Sequence, residues 1–298
     1  MIDFLNLVSN SGRTPIFIDL NNLLFRYYYV FSPDRFKTPQ GLPNGHLFGL
    51  CQTLKTLDRL GYISFICEDS NSSFRHKLNE NYKANRDGNV SFYKDFERIR
   101  CLISDLPNTY TLVANGYEAD DVMYSAAKLC SKNNIQSLVF TMDKDLLQVL
   151  DKNTSVVHKV SLSEMEVICY NSNEYNDLFP VEPVKLPIYR AFKGDKSDNL
   201  EIPVKRLPKD LMLDLIDYLY ENNSLSGYSI KKESHKKWIK QLIDNWNEFL
   251  NNYKIMKLSP IEFNVLDKFP SGSYINVCKE YNLLQFKDYI ENIKKEVL

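Results

Sequence analysis

Short apolar runs recur through the first two-thirds of the chain, separated by stretches of helical length. Residues 15–20 (PIFIDL), 62–67 (YISFIC), 110–113 (YTLV) and 137–141 (SLVFT) are rich in β-branched and aromatic side chains, as strands covered on both faces must be. Residues 46–60, 92–106 and 119–133 carry amphipathic, helix-like spacing. Alternation of this kind predicts an α/β fold, a mostly parallel central sheet with helices on both faces. Two further runs, 155–160 and 166–170, predict an edge hairpin. Past about residue 200 the pattern turns helical, at 207–220, 233–250 and 274–294, with loops at 221–229 and 259–272. Trp238 and Trp246 fall inside the middle helix, where core packing is their expected role. The expected division is a core over 1–200 and a helical region over 201–298.

At 298 residues and 44% hydrophobic content the chain can bury a sizeable core. No run approaches the roughly 18 consecutive apolar residues of a membrane span, and the first residues lack the basic-then-apolar pattern of a secretory signal. Six cysteines occur without a C-x-x-C pair. They read as reduced thiols in a cytosol-like compartment, not as a disulfide framework or a zinc ribbon. The formal charge of −1 lacks the basic excess of a simple nucleic-acid binder.

The acids fall at the ends of the strand-like runs. Asp19 ends the first and Glu68 and Asp69 follow the second. Glu118, Asp120 and Asp121 come a few residues after the third, and Asp143 and Asp145 follow the fourth. In a parallel sheet those ends share one edge, where ligands bind. Asp195 and Asp198, within GDKSDN, add a later pair. Carboxylates gathered without histidine or cysteine repel one another unless divalent cations neutralise them. An oxygen-only donor set suits Mg2+ or Mn2+ better than zinc. Each acid alone reads more readily as structural than catalytic, often as the N-cap of the next helix; four strand ends in succession favour the metal cluster.

Residues 72–100 interleave Arg75, Lys77, Lys83, Arg86, Lys94, Arg98 and Arg100 with Phe74, Tyr82, Phe92, Tyr93 and Phe96. Basic side chains neutralise phosphates and aromatic rings stack on unpaired bases. From residue 92 the spacing suits an amphipathic helix whose charges are solvated, whereas YKANR (82–86) has little to pack and suits function. With the acids named above set aside, all but Asp69, the formal charge moves from −1 to +8, compatible with a polyanionic substrate. The run IKKESHKKWIK (230–240) reads first as a solvated helix face and second as a duplex contact.

The segments IFIDLNNLLFR, SSFRHKLNENYKANRD, NGYEADDV, TMDKDLLQ and YRAFKGDKSDN, in this order and spacing, closely resemble the signatures of the 5′-nuclease (flap endonuclease) family. That family includes the 5′-nuclease domain of bacterial DNA polymerase I and several phage exonucleases, and the resemblance covers roughly residues 15–200. It implies a PIN-like sheet with an arch-like segment at about 72–100. It also implies a 5′-3′ exonuclease or flap endonuclease that trims 5′ flaps or RNA primers in replication or repair. Two Mg2+ ions, replaceable by Mn2+, are implied, with Asp19, Glu68, Glu118 and Asp120 on the first and Asp143, Asp145 and Asp198 on the second. Asp121 and Asp195 would bridge or lie in an outer shell. One ion would acidify a water and the other stabilise the leaving oxygen, without a covalent intermediate.

Lys83 and Arg86 match the family's basic pair beside the scissile phosphate. Arg26, Arg75, Tyr82, Lys205, Arg206 and Lys209 are the expected nucleic-acid contacts. Branched or nicked DNA and RNA–DNA primer hybrids are the implied partners, with a single-strand-binding protein or sliding clamp as the protein partner that replication would bring. A monomer in the cytoplasm (a host's, if phage-encoded) is expected, with no membrane. Two departures stand out. Glu68 stands where the family usually has Asp, with Asp69 beside it as a competitor. LEIPVKRLPKDLMLDLI has no glycine where the family has a glycine-rich hairpin that grips duplex phosphates, so Lys205, Arg206 and Lys209 would replace backbone contacts with side-chain ones. This version resembles the phage branch that includes the T-even phage ribonuclease H. A PIN-type ribonuclease and a catalytically silent binder of branched DNA are the alternatives. YKANR and GDKSDN speak against the first and the complete acid set against the second.

Overall fold

Successive residues of the first strand face opposite ways, as the strand repeat requires. Ile16 and Ile18 enter one apolar layer and Phe17 the other, all fully buried. The computed structural model describes residues 3–70, 72–84 and 92–297. In it β1 (Thr14–Asp19), β2 (Tyr62–Cys67), β3 (Thr109–Val113), β4 (Ser137–Phe140) and β5 (Thr154–Ser161) run parallel. β6 (Glu166–Cys169) and β7 (Asn264–Val265) close the edges antiparallel. Among the described residues the order is β6-β5-β4-β1-β2-β3-β7. The expected α/β fold and its edge hairpin are thus present. The chain leaves β1 for β2 and β3 on one side and later adds β4 and β5 on the other. The switch point lies at the carboxyl ends of β1 and β4, where an open sheet leaves a crevice.

The helices Leu20–Val30, Gly45–Arg59 and Tyr93–Ile103, joined by Tyr274–Glu280 and Leu284–Val297, cover one face. The helices Phe4–Ser11 and Ala119–Lys132 cover the other. Close approach on the first face depends on Gly49. A Cβ there would lie 2.2 Å from Tyr27 Cγ, and the Tyr27 hydroxyl reaches Thr53 Oγ1 at 2.6 Å. A third apolar cluster joins the helices Leu186–Lys193, Lys209–Asn222, Lys236–Asp244 and Trp246–Met256, with Trp238 and Trp246 packed against it.

Three expectations in the last hundred residues change. The helix expected over 233–250 breaks at Asn245, whose amide donates to Pro203 O at 3.0 Å and Gln241 O at 3.1 Å. The helix over 274–294 divides at Asn282, which adopts φ 53°. The loop at 259–272 contains β7, which pairs Val265 with Leu112 at the sheet edge. The basic run is largely paired with acids: Lys231 with Asp214, Lys232 with Asp210 at 2.7 Å and Lys236 with Glu233 at 2.7 Å. All six cysteines are free thiols. No helix among the described residues is long and apolar enough to cross a membrane.

Candidate active site

The strand ends at the switch point open into a cavity of about 190 Å³. Its walls carry Asp19, Asp69, Glu118, Asp120, Asp143, Asp145 and Asp198, with Arg75, Tyr82 and Lys83 among them. The capping and cavity readings of these acids hold together. Asp19 caps the helix Leu20–Val30 through Oδ1, accepting from Asn22 N at 2.9 Å, and still lines the cavity. Asp143 likewise caps the 3-10 helix Lys144–Val149, accepting from Asp145 N at 2.8 Å. Glu118 begins the helix Ala119–Lys132 within a capping box shared with Asp121. Local capping therefore anchors one end of each acid's backbone at the sheet edge.

GDKSDN reaches the cavity through a tight loop. Gly194 has φ 61°, and a Cβ there would stand 2.6 Å from Leu200 O, so only glycine permits the paired backbone bonds between Asp195 and Leu200. The loop then holds the 79–84 segment: Asn199 Nδ2 donates to Asn81 O at 2.8 Å, and Lys83 N to Asp198 O at 3.4 Å. That join brings Lys83 to the cavity, where its Nζ sits 2.8 Å from Glu118 Oε2.

The electrostatics divide the acids. Burial, then repulsion by Asp69 and Asp143, pushes Asp19 up to about 7. Burial and Asp143 do the same to Asp145, also to about 7, against the pull of Arg190. Asp120 is driven well above the carboxylate range by burial and by Asp143 and Asp19. Glu118 behaves oppositely. Burial would raise it, but Lys83 and Arg75 hold it below its ordinary value, helped by the Ser73 hydroxyl at 2.9 Å. Among the described residues no group of three acids is drawn together tightly enough to hold an ion as it stands. The donor chemistry nevertheless fits a divalent cation: oxygen only, with mutual repulsion that a hard dication relieves.

Several expected residues stand elsewhere. Glu68 is buried but outside the cavity, bidentate to Arg100 through Nε at 3.1 Å and through Nη2. It shares strand parity with Ile66, which faces the helix Tyr93–Ile103, whereas the next residue, Asp69, turns to the cavity. There Asp69 accepts from Asn21 Nδ2 at 2.6 Å and Ala119 N at 2.7 Å. Asp121 lies behind the cavity wall, bidentate to Arg75 at 2.6 and 2.8 Å. Arg75, expected to touch nucleic acid, is 3% exposed and also donates to Ile255 O at 2.9 Å. Tyr82, expected to stack on a base, is 5% exposed, packs with Leu200, Ile255 and Met256, and points its hydroxyl 3.3 Å from Glu118.

Asp195 sits beside the cavity, held by Ser197 and Arg190. Arg26 is half-buried and donates to His158 O at 3.3 Å, while Lys205, Arg206 and Lys209 are exposed. Arg86 lies outside the described residues. Sequence reasoning gave Arg190 and Gln148 no role and read Arg100 as a solvated charge on a helix face. Gln148 donates to Met256 O at 3.1 Å and accepts from Leu258 N at 3.0 Å, fastening the C-terminal segment over the cavity. Gln148 and Arg190 fall within the segments TMDKDLLQ and YRAFKGDKSDN, and Arg100 closes the basic run over 72–100, but nothing local shows what they meet; strand parity alone would have separated Asp69 from Glu68.

Residues 14–177 match the family described as 5′-3′ exonuclease, N-terminal resolvase-like domain. DNA polymerase I of Chloroflexus aurantiacus is 30% identical over 197 residues, 62% of this chain and 20% of that protein. The chain spans about a fifth of the length of the DNA polymerase I relatives it matches. A 5′-3′ exonuclease of Buchnera aphidicola is 27% identical over 286 residues, 89% of this chain and 96% of that protein. Among solved structures, a T5 5′-exonuclease with bound divalent metal ions (zinc) has a TM-score of 0.60 at 16% identity, covering 95% of this chain and 99% of that one. At that identity the likeness is one of fold.

Proposed function

We propose, from the premise that this chain belongs to the 5′-3′ exonuclease family matched by residues 14–177, that it is a structure-specific nuclease using two divalent cations. The substrates would be 5′ flaps, nicked DNA and RNA–DNA primers, and Mg2+ the natural ion. The observation that carries this is the convergence of seven carboxylates on one cavity at the sheet's switch point, with three of them pushed far above their ordinary range. Such a site is poised for cations.

Asp19, Asp69, Glu118 and Asp120 would hold one ion and Asp143, Asp145 and Asp198 the other, with Asp121 and Asp195 steadying the surround. Bound cations would supply an activated water and stabilise the leaving oxygen. Lys83 would shift from Glu118 towards a phosphate oxygen and offset the charge growing there, with Arg86 beside it. The exposed Lys205, Arg206 and Lys209 suit contacts to duplex phosphates. A role in replication or repair follows from the substrate class.

The test is a 5′-flap duplex labelled on the flap strand, incubated with the protein in Mg2+, beside an EDTA control and Asp143→Ala. Cutting near the junction is expected, falling by at least about a hundredfold in the variant. Binding without cutting in either Mg2+ or Mn2+ would overturn the proposal.

A further inference from the structure

A strong cation stands at the edge of the acid cluster, beside Asp143 and Asp145. Arg190, from the helix Leu186–Lys193, spans two of the acids. Its Nε is 2.5 Å from Asp145 Oδ1, and its Nη2 is 3.2 Å from Asp145 Oδ2 and 2.6 Å from Asp195 Oδ2. The guanidinium thus touches both oxygens of Asp145. The short Nε contact is not aligned as a hydrogen bond, and both atoms are buried without a directional partner. Arg190 thus holds Asp145 by charge and by one directional bond, from Nη2, a pairing that another cation can replace. The other half carries its cations on one acid, Glu118, which lies 2.8 Å from Lys83 Nζ and 3.6 Å from Arg75 Nη1, while Asp19, Asp69 and Asp120 form no ion pair among the described residues.

We propose that Arg190 is a resident counter-ion of the Asp143–Asp145–Asp198 half, competing with the divalent cation there and so making the two ions bind unequally and in order. An ion approaching Asp145 must share its oxygens with a fixed positive charge or displace it, and either is unfavourable at this distance. The first ion finds Asp19, Asp69 and Asp120 without an ion pair among the described residues, since the cations of that half, Lys83 and Arg75, stand on Glu118. Arg190 is a positioning residue in this role: it acts through Asp145 and Asp195 and touches no reacting atom. The inference rests on the two-cation reading above.

The experiment titrates the full chain with Mn2+ in the absence of DNA, following free Mn2+ by electron paramagnetic resonance. Two steps of unequal affinity are expected. In Arg190→Gln the weaker step should tighten by roughly tenfold, and Arg190→Lys should keep the two steps unequal. In the wild-type chain, the Nε–H resonance of Arg190 should move with the second equivalent of a diamagnetic ion, Mg2+, and not with the first. A weaker step that is unchanged or loosened in a folded Arg190→Gln, or a resonance that moves with the first equivalent, would overturn the inference. Failure of the wild-type chain to bind any divalent ion would instead overturn the two-cation reading itself.

Discussion

Glu68 and Asp69 are adjacent acids with opposite surroundings, and they make the sharpest comparison at the scale of single residues. Asp69→Asn should weaken divalent-ion binding and nuclease activity by at least about tenfold while changing the melting temperature little, because the amide oxygen still accepts from Ala119 N and the amide nitrogen can donate to Asn21 once that side chain turns its oxygen inward. Glu68→Gln should do the reverse. It leaves Arg100 without its counter-charge and costs about 1–2 kcal/mol in urea unfolding, with ion binding retained. Arg75→Ala should cost more, about 3–5 kcal/mol, because it strands the buried Asp121. Urea melts of the three variants beside Mn2+ titrations would separate these effects. The sequence marks all these side chains as charged. It does not say which are solvent-facing, since Arg75 and Lys83, eight residues apart in one polar stretch, end up respectively walled in and at the cavity.

Between elements, the clearest device is a buried carboxylate that ties the helix Tyr93–Ile103 to the C-terminal helices. Asp95 faces His46 Nε2 at 3.2 Å and accepts from the Tyr281 hydroxyl at 2.9 Å. Burial would raise its pKa, but these two hydrogen bonds hold it below the ordinary value. A carboxyl depressed by folding stabilises the protein at pH above its unfolded pKa, near 3.9, and that contribution is lost as pH falls through the lower folded value. The melting-temperature difference between wild type and Asp95→Asn should therefore be constant above about pH 5 and shrink below about pH 4. A difference unchanged down to pH 3 would show that the charge contributes nothing. The long elements were legible from periodicity because packing on one face demands it. The breaks at Asn245 and Asn282 were not: asparagine tolerates a left-handed or bridging backbone at little cost, and only the carbonyls it meets decide whether it does so. Strand β7, two residues long, is too short to carry a pattern.

On the scale of the whole molecule, the acid cavity concentrates repulsion that the rest of the fold must hold together. Divalent cations that bind only the folded state should stabilise it, by about 2.7 kcal/mol at a hundred times the dissociation constant. A thermal melt in Mg2+ should lie several degrees above one in EDTA, and Asp143→Ala should lose the second ion's share of that gap. Equal melts for the wild-type protein in the two conditions would mean that no ion is bound. The roof of the cavity comes from the far end of the chain. Ile255, Met256 and Leu258 line it, fastened by Arg75 and Gln148.

What the sequence determined by itself is the sheet and its loaded edge. Apolar runs of strand length alternating with amphipathic stretches admit few layer arrangements, and acids placed just past those runs must gather at one edge. What only the tertiary structure decided is the pairing of charges. Whether an acid meets an arginine, a capping amide or the cavity depends on neighbours distant in sequence. Arg100 lies 32 residues from Glu68, Arg190 45 from Asp145, and Ile255 180 from Arg75. Local propensity carries no information about such contacts, because they form only when packing brings the elements together.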